Sequence, residues 1–256
     1  MSGRAELPPV VVTRAEGADG PLSRELRGLG LRVLSWPAVR VAAANPAPLA
    51  APLARIETFA WIVFASRHAA AAVLARMARK PARLRVAAVG KATAQVLRQR
   101  GWTVDLVPEE GNAAALIAAF AAQWTPADAG TRILYPASSR ALPTIAAGLT
   151  QLGAEVTQVE AYRTEAAQLD IEDCRAWIGR ATIGAVTFAS PSAVNELAHA
   201  LGRDDFARLL SGAAAVAIGR TTALEVSALG HDAVVADSAT LHGLALTTFR
   251  LLQARV

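Results

Sequence analysis

The sequence contains an internal repeat, which limits the folds that this chain can adopt. The segment Phe64-Ala65-Ser66 recurs as Phe188-Ala189-Ser190, and the segment VGKATA at 89–94 recurs as IGRTTA at 218–223. Each copy follows an apolar run and precedes a stretch of helical period. Both halves of the chain therefore have the same order of strands and helices, which predicts two homologous lobes.

Short apolar runs rich in β-branched residues alternate with longer stretches of helical period rich in Ala, Leu and Arg. Most runs are apolar throughout, which is typical of parallel strands covered on both faces by helices. Roughly ten runs exceed the eight strands of a (β/α)8 barrel, so the repeat favours an α/β fold of two doubly wound parallel sheets, each of about five strands. The predicted strands are residues 10–13, 32–34, 61–65, 86–89, 104–107, 132–135, 155–159, 185–189, 214–218 and 233–236.

Two segments without helical pattern, 35–41 (SWPAVRV) and 158–164 (QVEAYRT), stand at equivalent positions in the two halves. If each leads from one lobe to the other, one lobe contains both chain ends and the other is inserted into it. The two linkers would then cross side by side on the floor of an inter-lobe cleft that includes Tyr162. A sequential layout with a boundary near residues 125–130 stays open. The inserted layout predicts lobe 1 at residues 1–36 plus 167–256, lobe 2 at 42–157, and linkers at 37–41 and 158–166.

Small hydroxyl residues accumulate where the predicted strands meet helices, and in five of six such junctions a basic residue accompanies them. Helix capping accounts for a Ser or Thr but does not require the adjacent basic residue. Helix N-termini at the carboxyl edge of a parallel sheet attract anions, so this pattern predicts a ligand with several negative groups. The junctions are Thr13-Arg14, Ser66-Arg67, Gly90-Lys91-Ala92-Thr93, Ser138-Ser139-Arg140, Ser190-Pro191-Ser192 and Gly219-Arg220-Thr221-Thr222.

Several other kinds of site are disfavoured. The pair Gly90-Lys91 lacks the first glycine of a phosphate-binding loop because Arg85 stands in its place, and no Gly-x-Ser-x-Gly sequence surrounds Ser66 or Ser190. Cys174 lies among acidic residues, which do not favour a reactive thiolate. Four histidines lack a second ligand at metal spacing and are interpreted as solvated or helix-surface residues: His68, His199, His231 and His242.

The net charge of +5 raises nucleic acid as a partner, but the basic residues are dispersed and only 5% of residues are aromatic. These properties disfavour nucleic-acid binding. The single cysteine fits a reducing compartment, which predicts a cytoplasmic protein. No uncharged apolar run reaches the roughly 18 residues of a spanning helix, so no membrane association is expected.

In their order and spacing, the repeated segments resemble the uroporphyrinogen-III synthase family over nearly the full length of the chain. The resemblance implies two flavodoxin-like or Rossmann-like lobes joined by a two-stranded β ladder. It rests on Val12-Thr13-Arg14, Phe64-Ala65-Ser66, Val89-Gly90 with Thr93-Ala94, Tyr162-Arg163-Thr164, residues 188–194 (FASPSAV), and Ile218-Gly219 with Thr221-Thr222-Ala223.

The resemblance also implies a reaction without cofactor or metal on hydroxymethylbilane, a linear tetrapyrrole polycarboxylate. Loss of its hydroxyl as water gives an azafulvene, which the substituted α-carbon of ring D attacks to form a spiro intermediate. Fragmentation and reclosure invert ring D and give uroporphyrinogen III for heme, siroheme and cobalamin biosynthesis. Because the substrate also closes spontaneously without inversion, the enzyme must mainly impose geometry. The expected protein is a monomer that meets the preceding deaminase transiently.

Tyr162 matches the linker tyrosine of the family, and its phenol is a candidate general acid for the leaving hydroxyl. The alternative is a hinge residue that packs between the lobes. The family often has Thr at positions 65 and 189 and Pro at position 220, where this chain has Ala65, Ala189 and Arg220. The predicted substrate-binding residues are Thr13, Arg14, Ser66, Gly90, Lys91, Thr93, Ser139, Arg140, Ser190, Ser192, Gly219, Arg220, Thr221 and Thr222.

Two other functions stay open at this point. A non-catalytic two-lobed binder of a small polyanion would have the same architecture but no need for a linker tyrosine. A two-lobed glycosyltransferase would also use doubly wound lobes, but should show a cluster that binds a nucleotide diphosphate.

Overall fold

The computed structural model describes residues 7–17, 19–180 and 182–255. Its strands follow the apolar runs of the sequence, and most lie within a few residues of the predicted bounds. The strands are β1 Val10–Val12, β2 Val33–Ser35, β3 Val39–Ala43, β4 Trp61–Phe64, β5 Arg85–Ala88, β6 Arg132–Ser138, β7 Glu155–Ala166, β8 Ala185–Phe188, β9 Ala214–Ala217 and β10 Ala233–Val235.

Helices separate most of the strands. They are α1 Pro21–Gly28, α2 Ala47–Leu53, α3 Arg67–Leu74, α4 Lys91–Gln99, α5 Ala113–Ala121, α6 Thr144–Gln151, α7 Ile171–Gly179, α8 Pro191–Leu201, α9 Arg203–Gly212, α10 Arg220–Ala228 and α11 Leu241–Gln253. Ser66, Asn112, Asp170, Ser190 and Thr240 each precede a helix and accept a hydrogen bond from the backbone N–H three residues on, so the sequence itself marks these helix starts. In the described parts of the chain, no helix combines the length and apolar character needed to cross a bilayer.

The chain divides into two units, Met1–Arg40 with Glu165–Val256 and Val41–Thr164. The first unit has a five-stranded sheet in the order β10-β9-β8-β1-β2, with parallel pairing throughout. The first strand lies between the second and third strands of its unit, which is a doubly wound arrangement. Val186 and Phe188 pack in one apolar cluster and Ala185 in another, because alternate strand residues point to opposite faces.

The second unit repeats this architecture with its strands in a permuted chain order. Its sheet has the order β3-β7-β6-β4-β5, and the β7-β6, β6-β4 and β4-β5 pairs are parallel. Phe64 on β4 is the repeat counterpart of Phe188 on β8, so β7-β6-β4-β5 corresponds to β2-β1-β8-β9. The prediction of two doubly wound, predominantly parallel sheets is therefore confirmed.

The segments predicted as linkers contain β strand. Residues 37–41 overlap β3, and residues 158–166 form the second half of β7, which continues without interruption from the strand predicted at 155–159. β3 and β7 are neighbours in one sheet, and each crosses a boundary between the two units. Residues 125–130, the boundary of the sequential layout, lie within the second unit.

The strand predicted at residues 104–107 is wrong. This segment makes one isolated bridge, in which Leu106 is paired with Ala87. The Asp105 carboxylate accepts a hydrogen bond from the Val86 N–H at 2.7 Å, so a side chain takes the donor that a strand carbonyl would use. Pro108 follows and has no N–H to continue a ladder. The side-chain hydrogen bond and the proline thus prevent residues 104–107 from forming a further strand beside β5.

Candidate functional site

The hydroxyl and basic residues of the junctions lie at the carboxyl edges of the two sheets. In the second unit, β6 and β4 are neighbours at the centre of the sheet. The chain continues from β6 to β7 on one side of this pair and from β4 to β5 on the other side. β1 and β8 hold the equivalent position in the first unit. Such a reversal of strand order leaves a crevice between the strand ends, and ligands of doubly wound sheets bind there.

In the second unit, two neighbouring helices begin in different ways. The Ser66 hydroxyl caps α3 by accepting a hydrogen bond from the Ala69 N–H at 3.1 Å, and its own O–H is still a donor. Gly90 precedes α4 in an extended conformation, and no side chain among the described residues caps this helix. The first N–H groups of α4 thus lack a side-chain acceptor. Lys91 beside them is exposed, whereas Thr93 is buried.

A set of polar contacts fixes the chain where β6 ends beside β7. Ser138 pairs with Tyr162 across a bulge, and the Ser139 N–H donates to the Tyr162 carbonyl at 3.0 Å. The hydroxyl oxygens of Ser138 and Thr164 are 2.9 Å apart, and the Thr164 N–H donates to Ser139 Oγ at 3.3 Å. Arg140 is exposed next to this set. These bonds hold the Tyr162 backbone at the edge of the sheet.

The Tyr162 side chain is half-buried and has an aromatic neighbour that the sequence interpretation missed. It packs against the apolar cluster that contains Phe64 and Ala69. Its ring centroid lies 5.4 Å from that of the His68 imidazole, with the ring planes inclined by 46°. His68 is an exposed residue of α3, as interpreted from the sequence. Its contact with Tyr162 was not predicted, because no local pattern links positions 68 and 162.

In the first unit, the junction after β1 is filled by the chain's own groups. Thr13 is fully buried, and its hydroxyl donates to the Thr187 carbonyl at 2.7 Å. Arg14 Nε donates to Glu16 Oε2 at 2.8 Å, while Glu16 Oε1 accepts from the Ser23 N–H at 2.9 Å in the first turn of α1. A carboxylate of the protein therefore occupies the helix start at which the sequence predicted an external anion.

The junction after β8 resembles its counterpart in the second unit. The Ser190 hydroxyl caps α8 by accepting from the Ala193 N–H at 3.3 Å. Its oxygen lies 3.0 Å from Ser192 Oγ, so the two serines form a hydroxyl pair. Both are half-buried, and at least one O–H of the pair is free to donate to an acceptor outside it.

The junction after β9 repeats the open helix start of α4. Gly219 precedes α10 in an extended conformation, and none of the described side chains caps the helix. Arg220 and Thr221 are exposed in the first turn, whereas Thr222 is buried. Each unit therefore has one serine-capped helix and, on the next strand, one helix start that is open to an anion and has an exposed cation beside it.

The described residues contain no cluster of three or more His, Cys, Asp or Glu side chains that could hold a metal ion. His242 Nδ1 lies 3.0 Å from Glu25 Oε2 on the surface. Burial, reinforced by neighbouring aspartates, raises the pKa of the Cys174 thiol to about 12. The thiol is therefore protonated near neutral pH and is a poor nucleophile.

Solved structures share this fold. A mutant uroporphyrinogen III synthase from Thermus thermophilus matches 96% of this chain and 99% of its own, with a TM-score of 0.62 and 17% identity. The uroporphyrinogen-III synthetase from Helicobacter pylori matches 96% of this chain and 100% of its own, with a TM-score of 0.61 and 15% identity. At these identities the two matches support the fold alone.

The amino-acid sequence also matches one protein family and several of its members. The family described as "Uroporphyrinogen-III synthase HemD" matches residues 20–245. The uroporphyrinogen-III synthase of Synechococcus elongatus is 31% identical over 249 residues, which cover 93% of this chain and 92% of that protein. The chloroplastic uroporphyrinogen-III synthase of Oryza sativa is 29% identical over 87% of this chain and 73% of its own length. Since the family match and the match to the Synechococcus relative each cover most of this chain, the chain belongs to the uroporphyrinogen-III synthase family.

Proposed function

We propose that this chain closes hydroxymethylbilane to uroporphyrinogen III by holding the substrate carboxylates at the two sheet edges while Tyr162 assists departure of the hydroxyl. Membership of the family makes the chain a hydro-lyase of tetrapyrrole biosynthesis and implies hydroxymethylbilane as the substrate. Because the chain belongs to this family, the two alternative functions considered from the sequence, a polyanion binder and a glycosyltransferase, are set aside. The proposal concerns how these particular residues perform the reaction.

The observation that carries the proposal is that two equivalent junctions, Gly90 before α4 and Gly219 before α10, each begin a helix without a side-chain cap. Each presents backbone N–H groups and the positive end of a helix dipole to an anion. Lys91 and Arg220 follow immediately and are exposed, so each cation can approach the same carboxylate. We assign one acetate or propionate group of the substrate to each of these helix starts.

The hydroxyl groups at the remaining junctions supply further donors. Ser66 and Ser190 accept hydrogen bonds from their own helices and can still donate to a substrate carboxylate. Ser139, Arg140, Ser192 and Thr221 are exposed or half-buried at the same edges and have suitable chemistry for this role. Thr93 and Thr222 are buried in the first turn of their helices, so we assign them support of the helix starts.

Ala65 and Ala189 are departures from the threonine that the family often has at these positions. They follow β4 and β8 directly and carry no hydroxyl. We infer that carboxylate binding at these strand ends depends on backbone N–H groups and on the adjacent serines. An added side-chain donor at either position should therefore strengthen substrate binding.

The Tyr162 phenol donates a hydrogen bond to the hydroxyl of the substrate as the carbon–oxygen bond breaks. The pyrrole nitrogen lone pair supplies the electrons that expel the hydroxyl, so only weak acid assistance is needed. The hydroxyl takes the phenol proton and leaves as water, and the pyrrole N–H proton then returns to the phenolate, so that a neutral azafulvene remains. The substituted α-carbon of ring D then attacks it, and the spiro intermediate opens and recloses with ring D inverted. Because unassisted closure gives the uninverted isomer, the main contribution of the protein is the position in which it holds the two substrate ends.

The test is the Tyr162→Phe variant in an assay that generates hydroxymethylbilane enzymatically and resolves type I from type III product after oxidation. We expect type III formation to fall about a hundredfold, the lower end of general-acid contributions. The matched control is Tyr135→Phe, since Tyr135 is the only other tyrosine and is buried on β6. Full type III formation by the Tyr162 variant would remove the general-acid role.

Three sequence-based expectations stay predictions: a cytoplasmic location, a monomeric state and a transient contact with the preceding deaminase. The last of these follows from the instability of the substrate, which closes without enzyme when it is released into water.

A further inference from the structure

We propose that His68 is a positioning residue for Tyr162, and that its imidazole holds the phenol in the orientation that the inverted closure requires. The inference rests on the proposed function, because it gives the Tyr162 ring a role in the reaction. The observation behind it is the contact of the two rings, whose centroids are 5.4 Å apart at an inclination of 46°.

The His68 side chain is exposed, but rigid structure fixes its backbone. His68 is the second residue of α3 and lies two residues after the Ser66 cap, which accepts from the Ala69 N–H. β4, which leads into this helix, is fully buried and lies next to β6 in the sheet. The imidazole is therefore carried by a strand and a capped helix, which hold a side chain better than a loop does.

The Tyr162 ring has contacts from two sources. Its strand packs it against the apolar cluster of Phe64 and Ala69, and His68 adds an aromatic neighbour from the first turn of α3. A tyrosine has two side-chain torsions, and each contact restricts the range of directions that its hydroxyl can take. Without the imidazole, the Tyr162 backbone would stay in place, but the side-chain torsions of the half-buried ring would be less restricted.

Loss of the restriction should affect the product more than substrate binding. Hydroxymethylbilane has a competing uncatalysed closure, so a phenol that is misdirected part of the time lets substrate leave and form type I product. A displacement of a reacting group by about 1 Å can cost roughly a hundredfold in rate. For His68→Ala we expect kcat for type III product to fall about tenfold, KM to change little and the type I share to rise.

Comparison of two substitutions separates ring packing from a general loss of structure. His68→Phe keeps an aromatic ring at this position and should retain most type III formation, whereas His68→Ala should not. His199→Ala is the matched control, because His199 is an exposed helix histidine in the other unit. Thermal unfolding of all three variants checks that the fold is intact. Unchanged kcat and isomer ratio in His68→Ala, or an equal loss in His68→Phe, would overturn the proposal.

A spectroscopic measurement tests the contact without reference to activity. The chain has two tyrosines, so labelling with 3-fluorotyrosine gives two fluorine resonances, and Tyr135→Phe assigns the Tyr162 line. His68→Ala should shift and broaden this line, while the Tyr135 line should stay in place. An unmoved Tyr162 line would refute the ring contact.

The double variant His68→Ala/Tyr162→Phe distinguishes failure of this inference from failure of the proposed function. If His68 acts through the Tyr162 hydroxyl, the alanine substitution adds no further loss to the Tyr162→Phe variant. Additive losses would overturn the inference and leave the role of Tyr162 intact. Full activity of Tyr162→Phe by itself would refute the proposed general acid whatever the His68 variants do.

Discussion

Replacement of Gly219 by aspartate should make the protein more stable and less active at the same time. Gly219 has φ −168° and ψ 171°, an extended conformation open to any residue, and a Cβ there would meet nothing within 4 Å. The new carboxylate can accept a hydrogen bond from the first-turn N–H groups of α10 and interact with the helix dipole. These effects together add about 1 kcal/mol to the free energy of unfolding, which raises Tm by about 2–4 °C for a chain of this size.

The same carboxylate would occupy the position that we assign to a substrate carboxylate. The loss of one charge-assisted interaction, together with the repulsion between like charges, should lower kcat/KM about ten- to a hundredfold. Gly219→Asn is the matched control, since its neutral amide can cap the helix without adding charge. Thermal unfolding and steady-state type III formation measure the two effects. A stabilised Gly219→Asp variant with unchanged kcat/KM would refute the assignment of a carboxylate to this helix start.

Three further predictions concern buried and capping groups. Thr13→Val removes the hydrogen bond from the Thr13 hydroxyl to the Thr187 carbonyl. The free energy of unfolding, measured by urea denaturation, should fall by about 1 kcal/mol, while KM stays unchanged. A raised KM would show that the hydroxyl reaches the substrate. Ser66→Ala removes the α3 cap and should cost about 1 kcal/mol with a raised KM, whereas equal stability would contradict the capping role. Burial raises the pKa of the Cys174 thiol from 9.0 to about 12, so the unfolded chain loses this proton first and stability should decline as the pH rises above about 9. Cys174→Ala should lessen this decline in urea denaturation at pH 8 to 11, and an identical pH profile would contradict the shift.

The strands and several helix starts were accessible from the sequence because local chemistry determines them. Strand β8 is apolar at nearly every position since both of its faces are buried, and Ser66 and Ser190 mark helix starts because their hydroxyls cap them. The repeat predicted that the two sheets would have the same design. The strand prediction at 104–107 was wrong because the Asp105 carboxylate accepts a hydrogen bond from the Val86 N–H. An apolar sequence pattern does not reveal such a side-chain bond.

Part of the candidate site could not be predicted because it depends on contacts between distant segments. Glu16 occupies the start of α1 only because the chain between β1 and α1 turns its carboxylate back to Ser23. The contact between His68 and Tyr162 requires β4, β6 and β7 to lie side by side. The sequence identified the types of residue at each junction, whereas the structure separated open helix starts from those already occupied.

The isomer composition of the product shows whether this chain directs the closure of hydroxymethylbilane with inversion of ring D. Purified protein is supplied with enzymatically generated hydroxymethylbilane, and the type I and type III products are resolved after oxidation beside a reaction without the protein. We expect predominantly type III product, formed faster than spontaneous closure. Type I product alone, at the spontaneous rate, would contradict this expectation.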